Sequence, residues 1–220
     1  RYYLNGIYLH AIKEDNVEKM RTVATDGHRL SRVDINLPQG AEGIPGVIIP
    51  RKTILEIRKI LEDHTGNVSL SISETKIKLS FNNVVLTSKL LDGTFPDYSR
   101  VIPEHNDKLI TISNQSISEA VDRVSTVSTD KTRAIKINIK KGSVVISATN
   151  PDKGSASEHL DVVYNGDEVE IGFNSKYVLD VTRQIKGKEI LIKLSDSVSP
   201  TLVYDKDDKD VLFVLMPMRV

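Results

Sequence analysis

The sequence predicts an α+β chain built from two similar units, in each of which an antiparallel sheet packs against helices. Three observations carry this. Apolar residues alternate strictly over residues 68–72, 76–81, 135–139 and 190–194, the pattern of strands with one buried and one solvated face. Helical periodicity is confined to residues 51–63, 115–128 and 174–186. The order of these elements then recurs with a period of about 120 residues, which is a duplicated domain and not a solenoid.

Taken in order, the first unit has a strand near residues 2–10, another near 21–25 and a Gly/Pro-rich loop. Residues 47–49 then lead into a helix over 51–63, with Ile54, Ile57, Ile60 and Leu61 on one face. The alternating strands 68–72 and 76–81 follow, and 84–90 is the last strand of the unit. The second unit repeats this with strands at 133–139 and 144–149, a loop, and residues 171–173 leading into the helix 174–186, whose apolar face is Val178, Val181 and Ile185. Alternating strands follow, and 212–218 closes the chain. The second unit also opens with a strand near Leu109 and the helix 115–128, where Ser116 and Glu119 are spaced as a capping box and Ile117, Ala120, Val121 and Val124 share a face. The first unit has no counterpart to that pair, so a strand and helix are expected upstream of Arg1. The polar stretch 103–108 sets the expected boundary, giving domains 1–104 and 105–220.

Thirty Lys and Arg balance thirty Asp and Glu, so any contact with nucleic acid must come from a local patch and not from overall basicity. With no cysteine there is no disulfide, thiolate metal site or thiol nucleophile. Apolar runs such as 211–218 fall far short of the roughly 20 residues that span a bilayer, and no basic-then-apolar leader is present, so no membrane role is expected.

Phosphate-binding glycine loops, a G-x-S-x-G elbow and H-E-x-x-H are all missing, and the histidines at 10, 28, 64, 105 and 159 lack metal-ligand spacing. Asp205, Asp207, Asp208 and Asp210 read as a solvated hairpin tip; as a calcium loop they lack the glycine and the closing glutamate. The densest local oddity is Ala24-Thr25-Asp26-Gly27-His28-Arg29-Leu30. Asp-Gly is a strong turn dipeptide, which makes this a β-turn with His28 and Arg29 exposed. The alternative, a hydrolytic set of Asp26, His28 and Ser31, lacks an oxyanion motif. Residues 95–101, Phe-Pro-Asp-Tyr-Ser-Arg-Val, read as a linker pinned by aromatics. The chain ends Val214-Leu215-Met216-Pro217-Met218-Arg219-Val220, and two of its three methionines lie in this apolar tail. As a last strand the tail is core, with Pro217 suggesting an edge; methionine also suits adaptable recognition surfaces.

These stretches carry a resemblance. Arg1-Tyr2-Tyr3-Leu4-Asn5-Gly6, residues 22–30, Thr87-Ser88-Lys89-Leu90 with Asp92-Gly93, Phe95-Pro96-Asp97-Tyr98 and Met216-Pro217-Met218-Arg219 together resemble the bacterial DNA polymerase III β subunit family, the sliding clamps. The likeness spans the whole chain in order. It implies duplicated DNA-clamp domains, most of domain two and all of domain three of a three-domain subunit. Two such subunits join head to tail into a ring around duplex DNA in the bacterial cytoplasm.

By motif, the resemblance implies a hydrophobic peptide-binding pocket between domains two and three. Its wall would be Leu4, Thr25, Gly27, His28, Arg29 and Leu30, and its floor Pro96, Arg100 and Val101. Tyr177, Val198 and Pro200 would stand at the rim, and Val214, Met216, Pro217, Met218 and Arg219 would complete it. Two positions depart from the family pattern: Pro200 stands where a small hydroxyl residue is common, and Ser99 where a basic one is. Implied partners are polymerase catalytic subunits, the clamp loader, translesion polymerases and mismatch-repair proteins, bound through short linear motifs. Implied DNA contacts are Tyr2 and Tyr3, with Arg51, Lys52 and Arg58 (and Lys59) on the first helix and Lys176, Arg183 and Lys186 on the third. Such contact is electrostatic and free of base readout. The ring interface would involve Thr126 and Val127, with Asp152, Glu158 and Asp161 as a thin acidic cluster nearby. No catalytic residue, cofactor or metal is implied. The chain by itself is expected to be monomeric, with negligible duplex binding. An adaptor of two domains that binds peptides without DNA fits the residue pattern equally well.

Overall fold

The computed structural model describes residues 1–128 and 132–219. It divides into two compact units: Arg1–Asp26 with Ser31–Tyr98, and Gly27–Leu30 with Ser99–Val220. The four residues Gly27–Leu30 therefore belong with the second unit although they lie within the first in sequence.

In the first unit a 3-10 turn, Tyr2–Leu4, precedes β1 (Gly6–Glu14), β2 (Val17–Thr25), β3 (Arg29–Asn36, its first two residues counted with the second unit) and β4 (Val47–Pro50). These run in the order β4-β1-β2-β3. Helix α1 (Arg51–Leu61) follows, then β5 (Ser69–Ile72), β6 (Lys76–Phe81) and β7 (Val84–Lys89) as a separate antiparallel sheet. Alternating residues thus mark a second sheet in the unit, where the sequence pattern suggested one. The first expected strand starts later than its apolar residues imply, because Tyr2–Leu4 curls into the 3-10 turn. Strand β3 was not legible as a strand at all: Arg29–Asn36 carries Arg29, Arg32 and Asp34 among its apolar residues.

A two-residue turn, Asp15 and Asn16 at φ 49° and 63°, joins β1 to β2. It fixes a register in which His10 lies opposite Arg21. One core cluster of this unit is Leu9, Val47, Ile49 and Ile77, with Met20, Ile54, Ile72 and Leu90 packed against it; Val23, Ile48, Leu79 and Phe95 are buried as well. Of the α1 residues Thr53 alone is fully buried, and its hydroxyl hydrogen-bonds that of Ser88 at 2.7 Å.

The second unit begins with a 3-10 turn, Tyr98–Val101, whose first residue closes the first unit. Next come β8 (Lys108–Ser113), α2 (Asn114–Ser125), β9 (Ala134–Lys140), β10 (Ser143–Asn150) and β11 (Gly154–Asp161). They are followed by β12 (Val169–Asn174), α3 (Ser175–Thr182), β13 (Glu189–Leu194), β14 (Thr201–Asp205) and β15 (Val211–Leu215). The strands order as β11-β10-β9-β12 and as β15-β14-β13-β8. Their inward residues (Ile135, Ile137, Ile146, Ile171, Ile110, Ile190 and Leu194 among them) meet Ile117, Ala120, Val121 and Val124 of α2 and Val178, Leu179 and Val181 of α3 in one core. Burying each such aliphatic side chain is worth roughly 1.5–3 kcal/mol.

Helix boundaries differ from the periodicity in instructive ways. The N-cap of α2 is Ser113, whose hydroxyl accepts from the Ser116 N–H at 3.2 Å, in place of the Ser116 cap suggested by the Ser116/Glu119 spacing. The N-cap of α3 is Asn174, and the helix ends at Thr182 although Ile185 remains in the core. Asn114 explains the early stop. Its amide donates to the Thr182 and Ile185 carbonyls at 3.2 and 3.0 Å, taking up acceptors that a longer helix would use internally.

Candidate functional site

The Gly27–Leu30 segment, α3 and the chain end come together inside the second unit. Gly27 sits at φ 87°, a conformation that L side chains rarely adopt, and this turns the chain between β2 and β3. His28 is exposed, and its carbonyl accepts the Met216 N–H at 2.9 Å. Its ring lies 6.4 Å from that of Tyr177 with 23° between the planes. The Arg29 guanidinium lies over Tyr177, 4.4 Å from the ring centroid, and donates to Asp180 at 2.6 Å. Leu30 is buried.

Strand β15 stops at Leu215, three residues short of the expected end. The tail beyond it stays tied: Met216 bonds His28, and the Met218 N–H donates to the Gly172 carbonyl at 2.9 Å. Pro217, which has no N–H to give, occupies the position between these two donors. The tail is thus extended and anchored, leaving Met216 exposed and Pro217 and Met218 half-buried. Val214 is 1% exposed, so it supports the tail from below and offers no surface of its own. Arg219 is exposed.

Val198 projects from the loop before β14 and is 72% exposed. Asp196 builds that loop. One of its carboxylate oxygens accepts the Val198 and Ser199 N–H groups at 2.8 and 2.7 Å, and the other accepts the Ser199 hydroxyl. Those backbone and hydroxyl donors hold the Asp196 carboxyl below the usual carboxylate range. Pro200 is half-buried, and its carbonyl accepts from the Asn106 amide at 3.0 Å. Arg100 and Val101 are exposed on the 3-10 turn that opens the unit. The residues Leu4, Thr25 and Pro96 lie in the other unit: Leu4 half-buried in its first turn, Thr25 half-buried at the end of β2, and Pro96 exposed.

Sequence reasoning missed Asp180, Asp196 and Asn106. For two of them a signal existed. Tyr177 and Asp180 are spaced i, i+3 on a helix, and Asp196-Ser-Val-Ser199 is an Asx-turn sequence. For Asn106, whose partners Lys193 and Pro200 are about 90 residues away, no local signal exists.

The basic face of the first unit is equally defined. Arg51, Lys52, Arg58 and Lys59 are exposed on α1. The Asn5 carbonyl accepts the Arg51 N–H at 2.9 Å, which sets the Tyr2–Leu4 turn against the start of the helix. Tyr2 is 63% exposed and meets Tyr3 edge to face, ring centroids 5.8 Å apart. No side chain caps the N-terminus of α1, and its first turn carries Arg51 and Lys52. Cations at a helix N-terminus oppose the macrodipole, a local disadvantage of about 0.3–1 kcal/mol that helix stability alone does not explain. In the second unit Lys176 and Arg183 are exposed at the two ends of α3, whereas Lys186 lies beyond the helix and not on it.

The aspartate run is taken up by its own turn. Asp205 is buried and accepts the Asp207 and Gly187 N–H groups, while Asp208 accepts from Asp210, so the aspartate run folds its own hairpin. Among the described residues no cluster of three His, Asp or Glu could hold a metal ion. Among them, too, no helix is long and apolar enough to cross a membrane. Near the suggested ring interface, Arg123 pairs in bidentate fashion with Glu158 at 2.6 and 2.8 Å, and Thr126 is exposed.

Comparison with known proteins yields matches over the whole chain. The family model "DNA polymerase III beta subunit, central domain" matches residues 1–97, and "DNA polymerase III beta subunit, C-terminal domain" matches residues 99–219. The beta sliding clamp of Caulobacter vibrioides (strain NA1000 / CB15N) is 47% identical over 220 residues, and that of Escherichia coli (strain K12) 37%. Each alignment covers 100% of this chain and 59% of the relative, so the chain spans about three fifths of their length. Among solved structures, the sliding clamp of Bartonella birtlesii bound to griselimycin superposes with a TM-score of 0.96 at 52% identity, covering 100% of this chain and 59% of that one. The Pseudomonas aeruginosa sliding clamp with ligand gives 0.93 at 40%, with the same coverage of each chain.

Proposed function

The chain belongs to the DNA polymerase III beta subunit family, as its central and C-terminal α+β clamp domains, and from this premise we propose that it serves as part of a processivity factor that encircles duplex DNA as a ring dimer. In this reading it is non-catalytic and works in the bacterial cytoplasm. It tethers polymerases, the clamp loader, translesion polymerases and mismatch-repair proteins through a hydrophobic peptide-binding pocket.

The observation that supports the pocket most directly is the tied chain end. An extended apolar tail anchored at Met216 and Met218, beside a cation stacked on Tyr177, is a ready surface for leucine and phenylalanine side chains. The residues assigned to it are Leu4, Thr25, Gly27, His28, Arg29, Pro96, Arg100, Val101, Tyr177, Val198, Pro200 and Met216–Arg219, with Leu30 and Val214 as buried support. Each buried leucine or phenylalanine contributes about 1.5–3 kcal/mol, and ordering a flexible peptide offsets part of it, so affinity is micromolar and partners exchange. The basic face of α1, with Tyr2 and Tyr3 beside it, is the proposed DNA-facing surface: Arg51, Lys52 and Arg58 attract phosphates without reading bases. Enclosure by the ring, and not affinity, holds the protein on DNA.

Calorimetry with a leucine- and phenylalanine-containing peptide tests the pocket. Met218→Ala, or removal of the last five residues, weakens binding with the fold intact; unchanged affinity sinks the assignment. For the ring, the full-length subunit stays on circular DNA and slides off linear DNA, whereas an adaptor without a DNA role does neither.

A further inference from the structure

Tyr177 and Asp180 lie three residues apart on α3 and so point from the same face of the helix. Arg29 reaches both at once. Its guanidinium carbon lies over the Tyr177 ring, 4.4 Å from the centroid, while Nη1 donates to Asp180 Oδ2 at 2.6 Å. The same short segment hands the Met216 N–H its acceptor through the His28 carbonyl. A chain of contacts therefore runs from Asp180 through Arg29 and His28 to the exposed methionine of the tail.

We propose that Asp180 is a positioning and specificity-determining residue of the peptide-binding wall. It holds Arg29 on Tyr177, and it supplies an internal carboxylate partner for that cation, so that the wall receives neutral and apolar side chains in preference to acidic ones. The inference rests on the peptide-pocket reading. Its physical basis is competition: an incoming carboxylate must displace a partner already in hydrogen-bond contact with Arg29, whereas an apolar or amide side chain meets a surface whose charge is already matched. Arg29 and Asp180 side chains are 30% and 34% exposed, so solvent screens the pair and the effect is a bias and not a lock.

The test uses two synthetic peptides carrying leucine and phenylalanine, identical except for Glu or Gln immediately before the leucine. Affinities are measured by calorimetry at low and high salt. Asp180→Asn keeps the side-chain size and removes the carboxylate charge from beside Arg29. It is expected to improve binding of the Glu peptide relative to the Gln peptide by about twofold to fivefold, a gain that high salt removes. Asp180→Glu retains the original ratio, and adding Arg29→Gln to Asp180→Asn abolishes the gain. Nitrogen-15 spectra of the arginine Nη–H groups supply a readout independent of peptide: the Arg29 Nη1 signal exchanges faster with solvent in Asp180→Asn than in the unaltered protein. An unchanged Glu/Gln ratio in Asp180→Asn overturns the inference and leaves the pocket standing. Failure of the unaltered protein to bind either peptide overturns both.

Discussion

Replacing Asp34 by alanine removes half of a buried ion pair in the first unit. Arg21 and Asp34 side chains are 6% and 2% exposed, and the guanidinium meets the carboxylate through two parallel bonds of 2.7 Å each. Burial raises the cost of charging Asp34, yet the Arg21 hydrogen bonds and charge, with Arg32 and Lys19, hold its carboxyl below the usual range. Breaking such a pair from one side costs about 3–5 kcal/mol, because a buried charge is left without its partner. Here two groups soften the loss: Glu14 lies 2.8 Å from Arg21 Nη2, and the Tyr98 hydroxyl 3.4 Å from Nη1. Glu14 is half exposed, so its compensation is partial and the expected cost is near the low end, about 3 kcal/mol. In urea, with a slope of roughly 1.5–3 kcal/mol/M, the midpoint of the first unit falls by about 1–2 M. Near-ultraviolet circular dichroism reports the tyrosines of both units, since the chain has no tryptophan, so the loss is assigned to the first unit by hydrogen exchange of the β1 and β2 amides. The double variant Arg21→Met, Asp34→Leu removes both charges and is expected to cost much less than Asp34→Ala. A single-variant loss below 1 kcal/mol, or a double variant as unstable as the single one, would refute this account of the pair.

Two further outcomes are expected. Burial lowers the His10 pKa below the ordinary 6.5, and the Arg21 charge lowers it further, although the Ala11 backbone and Asp34 pull the other way. The unfolded chain then binds the proton first, so stability is full above about pH 6.5 and falls as pH drops toward the lower folded value. His10→Gln should flatten that slope in pH-dependent urea melts, and an unchanged slope would assign it to other groups. In the second unit, the Thr201 hydroxyl is buried among Ile117, Phe173, Ile192 and Val203 beside a small apolar cavity, with no hydrogen-bond partner among the described residues. Thr201→Val is therefore expected to stabilise the unit by about 1 kcal/mol, and a thermal melt showing a loss would mean that the hydroxyl is satisfied.

Most strands were legible because alternation is a local consequence of the pleat: residues 76–81, 135–139 and 190–194 all lie in strands. Helix positions were legible for the same reason, but helix ends were not. Where α3 stops depends on the Asn114 amide, some 70 residues away in sequence. Strand β3 is hard to read from alternation because Asp34 is buried in a pair with Arg21, and a paired charge breaks the apolar pattern without breaking the strand. The aromatic pins expected around residues 95–101 are Phe95 stacked on Tyr8 and Tyr98 bonded to His10. Their partners could not be named from spacing.

The sequence by itself determined the duplicated α+β plan, the faces of its strands and helices, and, through five motifs in order, the family. These follow from periodicity and residue identity, which are properties of the chain read one position at a time. The tertiary structure decided which distant groups meet. Arg29 finds Asp180, His28 finds Met216, Met218 finds Gly172, and Arg21 finds Asp34. Each contact joins segments whose approach is set by sheet register and helix packing. An apolar chain end becomes an anchored, extended segment only when those registers bring its amides to their acceptors.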